Sequence, residues 1–315
     1  MSLKLGSRGS PLALAQSRMV AAMLARAARS EDGAFPIQSF TTSGDRIQDR
    51  LLQEAGGKGL FTKELDEALL DRRIDAAIHS MKDLPTRLPD GIVLAAVPAR
   101  EDPRDGFISL KARGLNDLPP GAILGTASLR RQAQALHLRP DLVVKPLRGS
   151  VETRLRKIEE GQFDATFLAM AGLTRLGLTH HATGVIEARD MPPAPCQGAL
   201  AVTCREDDAA ARALLARISV KDLEVIVAAE RAFLAALDGS CRTPIAALAS
   251  LADGEISFLG EVLTPDGKQR WRREDTIALG DAPAQAAETL GHRLGREIAE
   301  AAGDAYRAHF GDRGW

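Results

Sequence analysis

Ile74-Asp75-Ala76-Ala77-Ile78-His79-Ser80-Met81-Lys82-Asp83-Leu84 and Phe163-Asp164-Ala165-Thr166-Phe167-Leu168-Ala169-Met170-Ala171-Gly172-Leu173 carry Asp, Ala, an apolar residue, Met and Leu at matching positions. Each opens with the short apolar run of a buried strand and ends where a turn or helix begins. The surrounding order repeats as well. Leu3-Lys4-Leu5 reads as a strand into the polar turn Gly6-Ser7-Arg8-Gly9, and Ser10-Pro11 then opens a helix, with Ser as N-cap and Pro at the first helical position. Ala122-Ile123-Leu124-Gly125-Thr126 reads as a strand into Ala127-Ser128 and a helix carrying Arg130 and Arg131. Leu142-Val143-Val144 leads into Leu147-Arg148-Gly149-Ser150 and a helix carrying Arg154. Chance likeness between two buried strands is the plainer alternative, but it leaves the repeated strand-turn-helix order unexplained. The expectation is an α/β protein with two related domains.

Residues 37–40 read as a further strand, entering a long polar loop over 41–59, and residues 60–70 as a helix. Glu101-Asp102-Pro103-Arg104-Asp105 reads as the first crossing between the domains, and the proline-rich Asp190-Met191-Pro192-Pro193-Ala194-Pro195 as the return. After Val202 the pattern changes to a helix over 222–237, a loop over 238–244, a strand over 256–263, a Pro-Asp-Gly turn, a second strand from Gln269 and a helix over 282–302. That tail predicts a small α+β domain. The expected boundaries are 1–100 with 198–217, 104–193, and 220–315.

Bulk composition narrows the function classes. With 315 residues, 45% hydrophobic and 26% charged, the chain is long for one core and reads as a soluble multidomain protein. Three cysteines, Cys196, Cys204 and Cys241, form no C-x-x-C pair and no Cys/His spacing suited to zinc, so no metal is expected. The cysteine usage and the absence of a signal-like N-terminus point to the cytoplasm. No apolar run approaches a membrane span of about 20 residues. A formal charge of -1 and 4% aromatic content argue against nucleic acid as partner.

Ligands of open α/β sheets bind beyond the carboxyl ends of the strands. Arg8 and Ser10, Lys82 and Asp83, Ser128 with Arg130 and Arg131, and Arg148 with Ser150 all fall at such turns. Helix N-termini there offer free N–H groups, and guanidinium groups grip carboxylates in pairs. One such arginine is ordinarily a solvated charge; a set at equivalent turns points to a polyanionic ligand. Neither a P-loop nor a G-x-G-x-x-G fingerprint is present, so nucleotide binding is weakly supported. Asp83 is an acid among arginines, suited to stabilising a cation and moving protons, with a structural salt bridge as the alternative. Cys241 sits in a turn-rich loop that suits an exposed thiol, although a free structural cysteine is the usual case. His79 reads as an ordinary strand-end histidine, and His180-His181 as a solvated loop.

Ser7-Arg8-Gly9-Ser10-Pro11-Leu12-Ala13-Leu14, Gly56-Gly57-Lys58-Gly59-Leu60-Phe61, His79-Ser80-Met81-Lys82-Asp83, Arg100-Glu101-Asp102-Pro103-Arg104-Asp105, Gly125-Thr126-Ala127-Ser128-Leu129-Arg130-Arg131, Leu147-Arg148-Gly149-Ser150 and Gln197-Gly198-Ala199 together resemble the porphobilinogen deaminase (hydroxymethylbilane synthase) family. The resemblance implies a transferase of tetrapyrrole (haem) biosynthesis that joins four porphobilinogen units head to tail, releasing ammonia each time. It implies two type II periplasmic-binding-protein-like domains plus the small C-terminal domain. It also implies a dipyrromethane cofactor held by a thioether to Cys241, with Lys82, Ser128, Arg130 and Arg131 as cofactor-binding residues. Asp83 would be catalytic. Arg8, Ser10, Gln16, Lys58, Arg148, Arg154, Arg175 and Gln197 would contact substrate and the growing polypyrrole chain. A monomer that passes its product to uroporphyrinogen III synthase is the implied setting.

Four departures stand out: Ser150 where the family often has Asn, Glu152 and Ser240 where Gly is usual, and Cys196 at another frequent Gly. Two other readings compete. A non-catalytic periplasmic-type binding protein would share the paired domains, but Lys82-Asp83 and the Cys241 tail argue against it. An acyl-transfer enzyme using Cys241 lacks a convincing base.

Overall fold

The computed structural model describes residues 2–31, 33–46, 60–237 and 243–310. The chain begins β1 (Leu5–Arg8), α1 (Pro11–Ala28), β2 (Ile37–Phe40), α2 (Ser43–Arg46), α3 (Lys63–Leu70), β3 (Ala76–Ser80) and β4 (Ile92–Ala96). It continues β5 (Asp105–Ile108), β6 (Ile123–Gly125), α4 (Leu129–Leu138), β7 (Val143–Lys145), α5 (Val151–Glu159), β8 (Ala165–Ala169), α6 (Met170–Leu176) and β9 (Gly184–Val185). Then come β10 (Leu200–Arg205), α7 (Ala209–Ala216), α8 (Lys221–Ala236), β11 (Ile245–Ala252), β12 (Glu255–Leu263), β13 (Arg270–Ala278) and α9 (Pro283–Phe310).

Two compact units result, residues 1–101 with 198–224, and residues 102–197 with 225–315. The first holds a sheet of order β2-β1-β3-β10-β4; the second holds β7-β6-β8-β5-β9 and a three-stranded sheet β11-β12-β13. The two five-stranded sheets have one topology. In each, the first three strands are parallel and the fourth, β10 or β5, runs antiparallel to its neighbours. Each fourth strand follows directly on a crossing of the chain. Both units thus repeat one α/β sheet pattern, and the sequence echo is its two matching third strands, β3 and β8.

A pair of glycines shows how closely the copies correspond. Gly6 of β1 pairs with Ala77, and Gly125 of β6 with Thr166, residues that occupy the same place in the two echoed stretches. A Cβ on Gly6 would stand 2.3 Å from Ile74 Cδ1, and one on Gly125 2.7 Å from Phe163 Cδ1. Ile74 and Phe163 also correspond. Both glycines are there so that the apolar residue leading into the next strand can lie against the strand's own backbone.

Helix starts follow the expected chemistry. Ser10, Ser128 and Ser150 cap α1, α4 and α5, their hydroxyls accepting from the N–H of Ala13, Arg131 and Thr153. The first unit packs Leu5, Val20, Leu24, Ile78 and Val202 into its core, and the second packs Phe107, Leu124 and Phe167. A separate cluster of Phe233, Phe258, Val262, Leu290 and Ile298 holds α8 and α9 against the three-stranded sheet. Among the described residues no helix is long and apolar enough to cross a membrane.

Candidate functional site

In the first unit β3 ends at Ser80 and passes into a single 3₁₀ turn, Met81–Asp83. Buried Met81 anchors that turn, its N–H donating to Ala199 O at 2.9 Å. Gln16, 3% exposed on α1, fixes the strand end through its amide, with Nε2 2.9 Å from Ser80 Oγ. The turn therefore presents Lys82 and Asp83 at a rigid strand terminus. Asp83 Oδ2 lies 3.8 Å from Arg8 Nη1, too far for a hydrogen bond but close enough for an ion pair. Arg8 in turn lies over the Phe61 ring, 4.3 Å from its centroid. Both Arg8 and Asp83 are partly exposed, so the pair contributes at most about 1 kcal/mol and leaves the carboxylate accessible to a ligand. Buried His79 sets its Nε2 3.1 Å from Thr203 Oγ1. Burial, with the Arg8 charge adding to it, pushes its pKa down to about 4, so it is a neutral strand-end group.

The second unit arranges its charges differently. Arg130 and Arg131, in the first turn of α4, are 4% and 7% exposed and converge on Asp105, the fully buried first residue of β5. Asp105 accepts four hydrogen bonds: from Arg130 Nη2 at 2.8 Å, Arg131 Nε at 3.2 Å, Arg131 Nη2 at 2.8 Å and Gln197 Nε2 at 2.8 Å. Burial alone would raise its pKa, but the two guanidinium charges outweigh burial and hold it well below the carboxylate range. The sequence suggested a grip on ligand carboxylates, whereas here both guanidinium groups already hold a carboxylate of the protein. That carboxylate is Asp105, which lies in the quoted Arg100–Asp105 motif but which only the strand pairing Asp105↔Ala169 brings beneath α4.

Two guanidinium groups share that one hydrogen-bonded carboxylate, and Arg130 Nε is buried without a hydrogen-bond partner. An acidic side chain of a pyrrole would supply a further acceptor, so the residues fit a dipyrromethane carboxylate. Ser128 stands at the same helix start, with its N–H donating to Thr126 Oγ1 at 3.1 Å.

Arg148 lies between β7 and α5 and is half-buried, whereas Arg154 folds back so that its Nε donates to Gly149 O at 2.9 Å. Gly149 has φ +117°, and a Cβ there would meet Thr153 Cγ2 at 2.7 Å, so the turn needs glycine. Arg175 belongs to the last turn of α6, the short helix that follows β8 directly. Lys58 and Cys241 lie outside the described residues. The structure thus groups Arg8, Lys82 and Asp83 in one unit, and Ser128, Arg130, Arg131 and Gln197 in the other. Sequence reasoning missed Asp105, and also Gln134 and Glu261, which lie beside Arg130.

The profile described as porphobilinogen deaminase, dipyromethane cofactor binding domain, matches residues 3–213, and that of the porphobilinogen deaminase C-terminal domain matches 225–300. The chain belongs to the porphobilinogen deaminase family. A porphobilinogen deaminase of Caulobacter vibrioides is 54% identical over 312 residues, covering 96% of this chain and 97% of that protein. One from Phenylobacterium zucineum is 52% identical over 315 residues, with the same coverage of 96% and 97%. Among solved structures, the lipoprotein Tp32 from Treponema pallidum is similar over 71% of this chain and 92% of that chain, at 14% identity and a TM-score of 0.44. The chain is accordingly a transferase of tetrapyrrole biosynthesis. It joins porphobilinogen units head to tail with release of ammonia, on a dipyrromethane cofactor.

Proposed function

We propose that Asp83 is the catalytic carboxylate of this hydroxymethylbilane synthase reaction and that the arginines of the strand-end turns hold the acid side chains of its substrate. The observation that supports this most is the pairing of Asp83 with Arg8 on the turn after β3, where the second copy has Gly172. Departure of ammonia leaves positive charge on the incoming pyrrole. Asp83 stabilises that charge and accepts the proton lost when the new carbon–carbon bond forms. Arg8 supplies a neighbouring cation for an acetate or propionate group. Lys82, Ser128, Arg130 and Arg131 would hold the dipyrromethane, tethered through Cys241. When bound, that group supplies the pyrrole carbon to which the first unit is joined.

Arg148, Arg154, Arg175, Ser10 and Lys58 are assigned to substrate carboxylates and polar edges. Gln16 and Gln197 are buried against Ser80 and Asp105, which favours their acting by holding those groups. We also propose the three domains 1–100 with 198–217, 104–193 and 220–315, a monomer, a cytoplasmic setting and delivery of product to uroporphyrinogen III synthase. The direct test is stoichiometry: four ammonia released per linear tetrapyrrole formed from porphobilinogen. Ligand binding without ammonia release would refute the catalytic assignment.

A further inference from the structure

We infer that Glu261 is a positioning residue for the Arg130 guanidinium, acting through the side-chain amide of Gln134. The inference rests on the reading of Arg130 as a carboxylate grip. Glu261 lies on β12 and is 1% exposed. Its Oε1 accepts from Gln134 Nε2 at 2.9 Å, and the same nitrogen donates to Pro192 O at 3.0 Å. On its other side, the amide oxygen of Gln134 accepts from Arg130 Nη1 at 2.9 Å.

A carboxylate and a backbone carbonyl can only accept, so they dictate which end of the amide faces them. With the NH₂ committed to Glu261 and Pro192, the oxygen has to face Arg130. Arg130 Nη1 then spends its hydrogens on Gln134 and on Pro192 O, the latter at 3.0 Å, while Nη2 is held by Asp105. The plane of the guanidinium is fixed from three directions, and Nε is the guanidinium nitrogen left without a partner.

Simple structural need explains Glu261 poorly. Its Oε2 is buried with no hydrogen-bond partner, and the nearest cations, Arg272 and Arg270, stand at 3.7 and 3.9 Å. Burial pushes its carboxyl pKa up, against the opposing Gln134 hydrogen bond and the Arg270, Arg272 and His137 charges. An apolar residue there could not orient Gln134.

The test is a double-mutant cycle on the holoenzyme, with kcat/KM for porphobilinogen and the thermal midpoint measured for wild type, Glu261→Gln, Arg130→Lys and the pair. Glu261→Gln replaces an acceptor-only carboxylate with a group that can also donate, leaving Pro192 O alone to fix the amide, so kcat/KM should fall about 5- to 10-fold, yet change less than about 2-fold in the Arg130→Lys background. Gln134→Met gives a second background in which Glu261→Gln should be silent, should Arg130→Lys fold poorly. Equal losses in every background, or a Glu261→Gln enzyme that loses only thermal stability, would overturn the inference and leave the grip reading standing. An Arg130→Lys enzyme with undiminished kcat/KM would remove the grip reading, and the inference with it.

Discussion

Cys196 has φ +62°, a left-handed conformation, and its N–H donates to buried Glu230 Oε2 at 2.5 Å. Glu230 Oε1 also accepts from Ala249 N–H at 2.8 Å, so the backbone there is held firmly. Glycine adopts this left-handed conformation without steric cost. Cys196→Val should therefore destabilise the protein by about 2 kcal/mol and Cys196→Gly by much less, as read from urea unfolding. Equal effects would mean that packing of the thiol matters more than the dihedral angle. His79 carries a pH prediction. Its pKa in the folded state, about 4, lies below the ordinary 6.5, so the unfolded chain takes up the extra proton first. Stability from this group is complete above about pH 6.5 and falls by up to about 3 kcal/mol as pH drops through that window towards 4. His79→Gln should flatten that part of the stability profile; an unchanged slope would place the titration elsewhere. His79 was read correctly from its strand-end position, but its burial was legible only once Thr203 was placed beside it.

At the scale of elements, the charges are divided between two copies of one strand end. β3 pairs Ser80 with Leu200 of β10, and β8 pairs Ala169 with Asp105 of β5, so Asp105 occupies in one copy the place Leu200 occupies in the other. Where the first copy puts a carboxylate on the turn, the second puts one under the helix start. Asp105→Asn should leave two adjacent buried guanidinium groups poorly paired and cost about 3 kcal/mol or more in unfolding free energy. A loss under about 1 kcal/mol would show that the cluster is better hydrated than its burial implies. The repeat of β3 and β8, the serine caps and the arginine turns were all legible, because each depends on residues close in sequence. β10 and β11 were not. Ile245-Ala246-Ala247-Leu248-Ala249-Ser250-Leu251-Ala252 is rich in alanine, a poor strand former, and becomes a strand only by pairing with β12. The Asp105 cluster escaped notice for a related reason: its members come from residues 105, 130, 131 and 197.

For the whole molecule, one α/β pattern is used twice, with Asp83 on a turn of one unit and arginine-rich turns in the other. The third sheet is joined to the second unit, where Glu261 reaches Gln134. Denatured intact mass should exceed the sequence mass by two linked pyrrole units, and Cys241→Ser should abolish the excess; an unmodified mass from active protein would contradict the tether. The most direct test of Asp83 combines that mass measurement with turnover in one variant. Asp83→Asn keeps shape but loses charge and proton transfer, so it should retain the full two-pyrrole excess while tetrapyrrole formation falls by about 100-fold or more. Retained mass with near-normal turnover would contradict the catalytic role of Asp83.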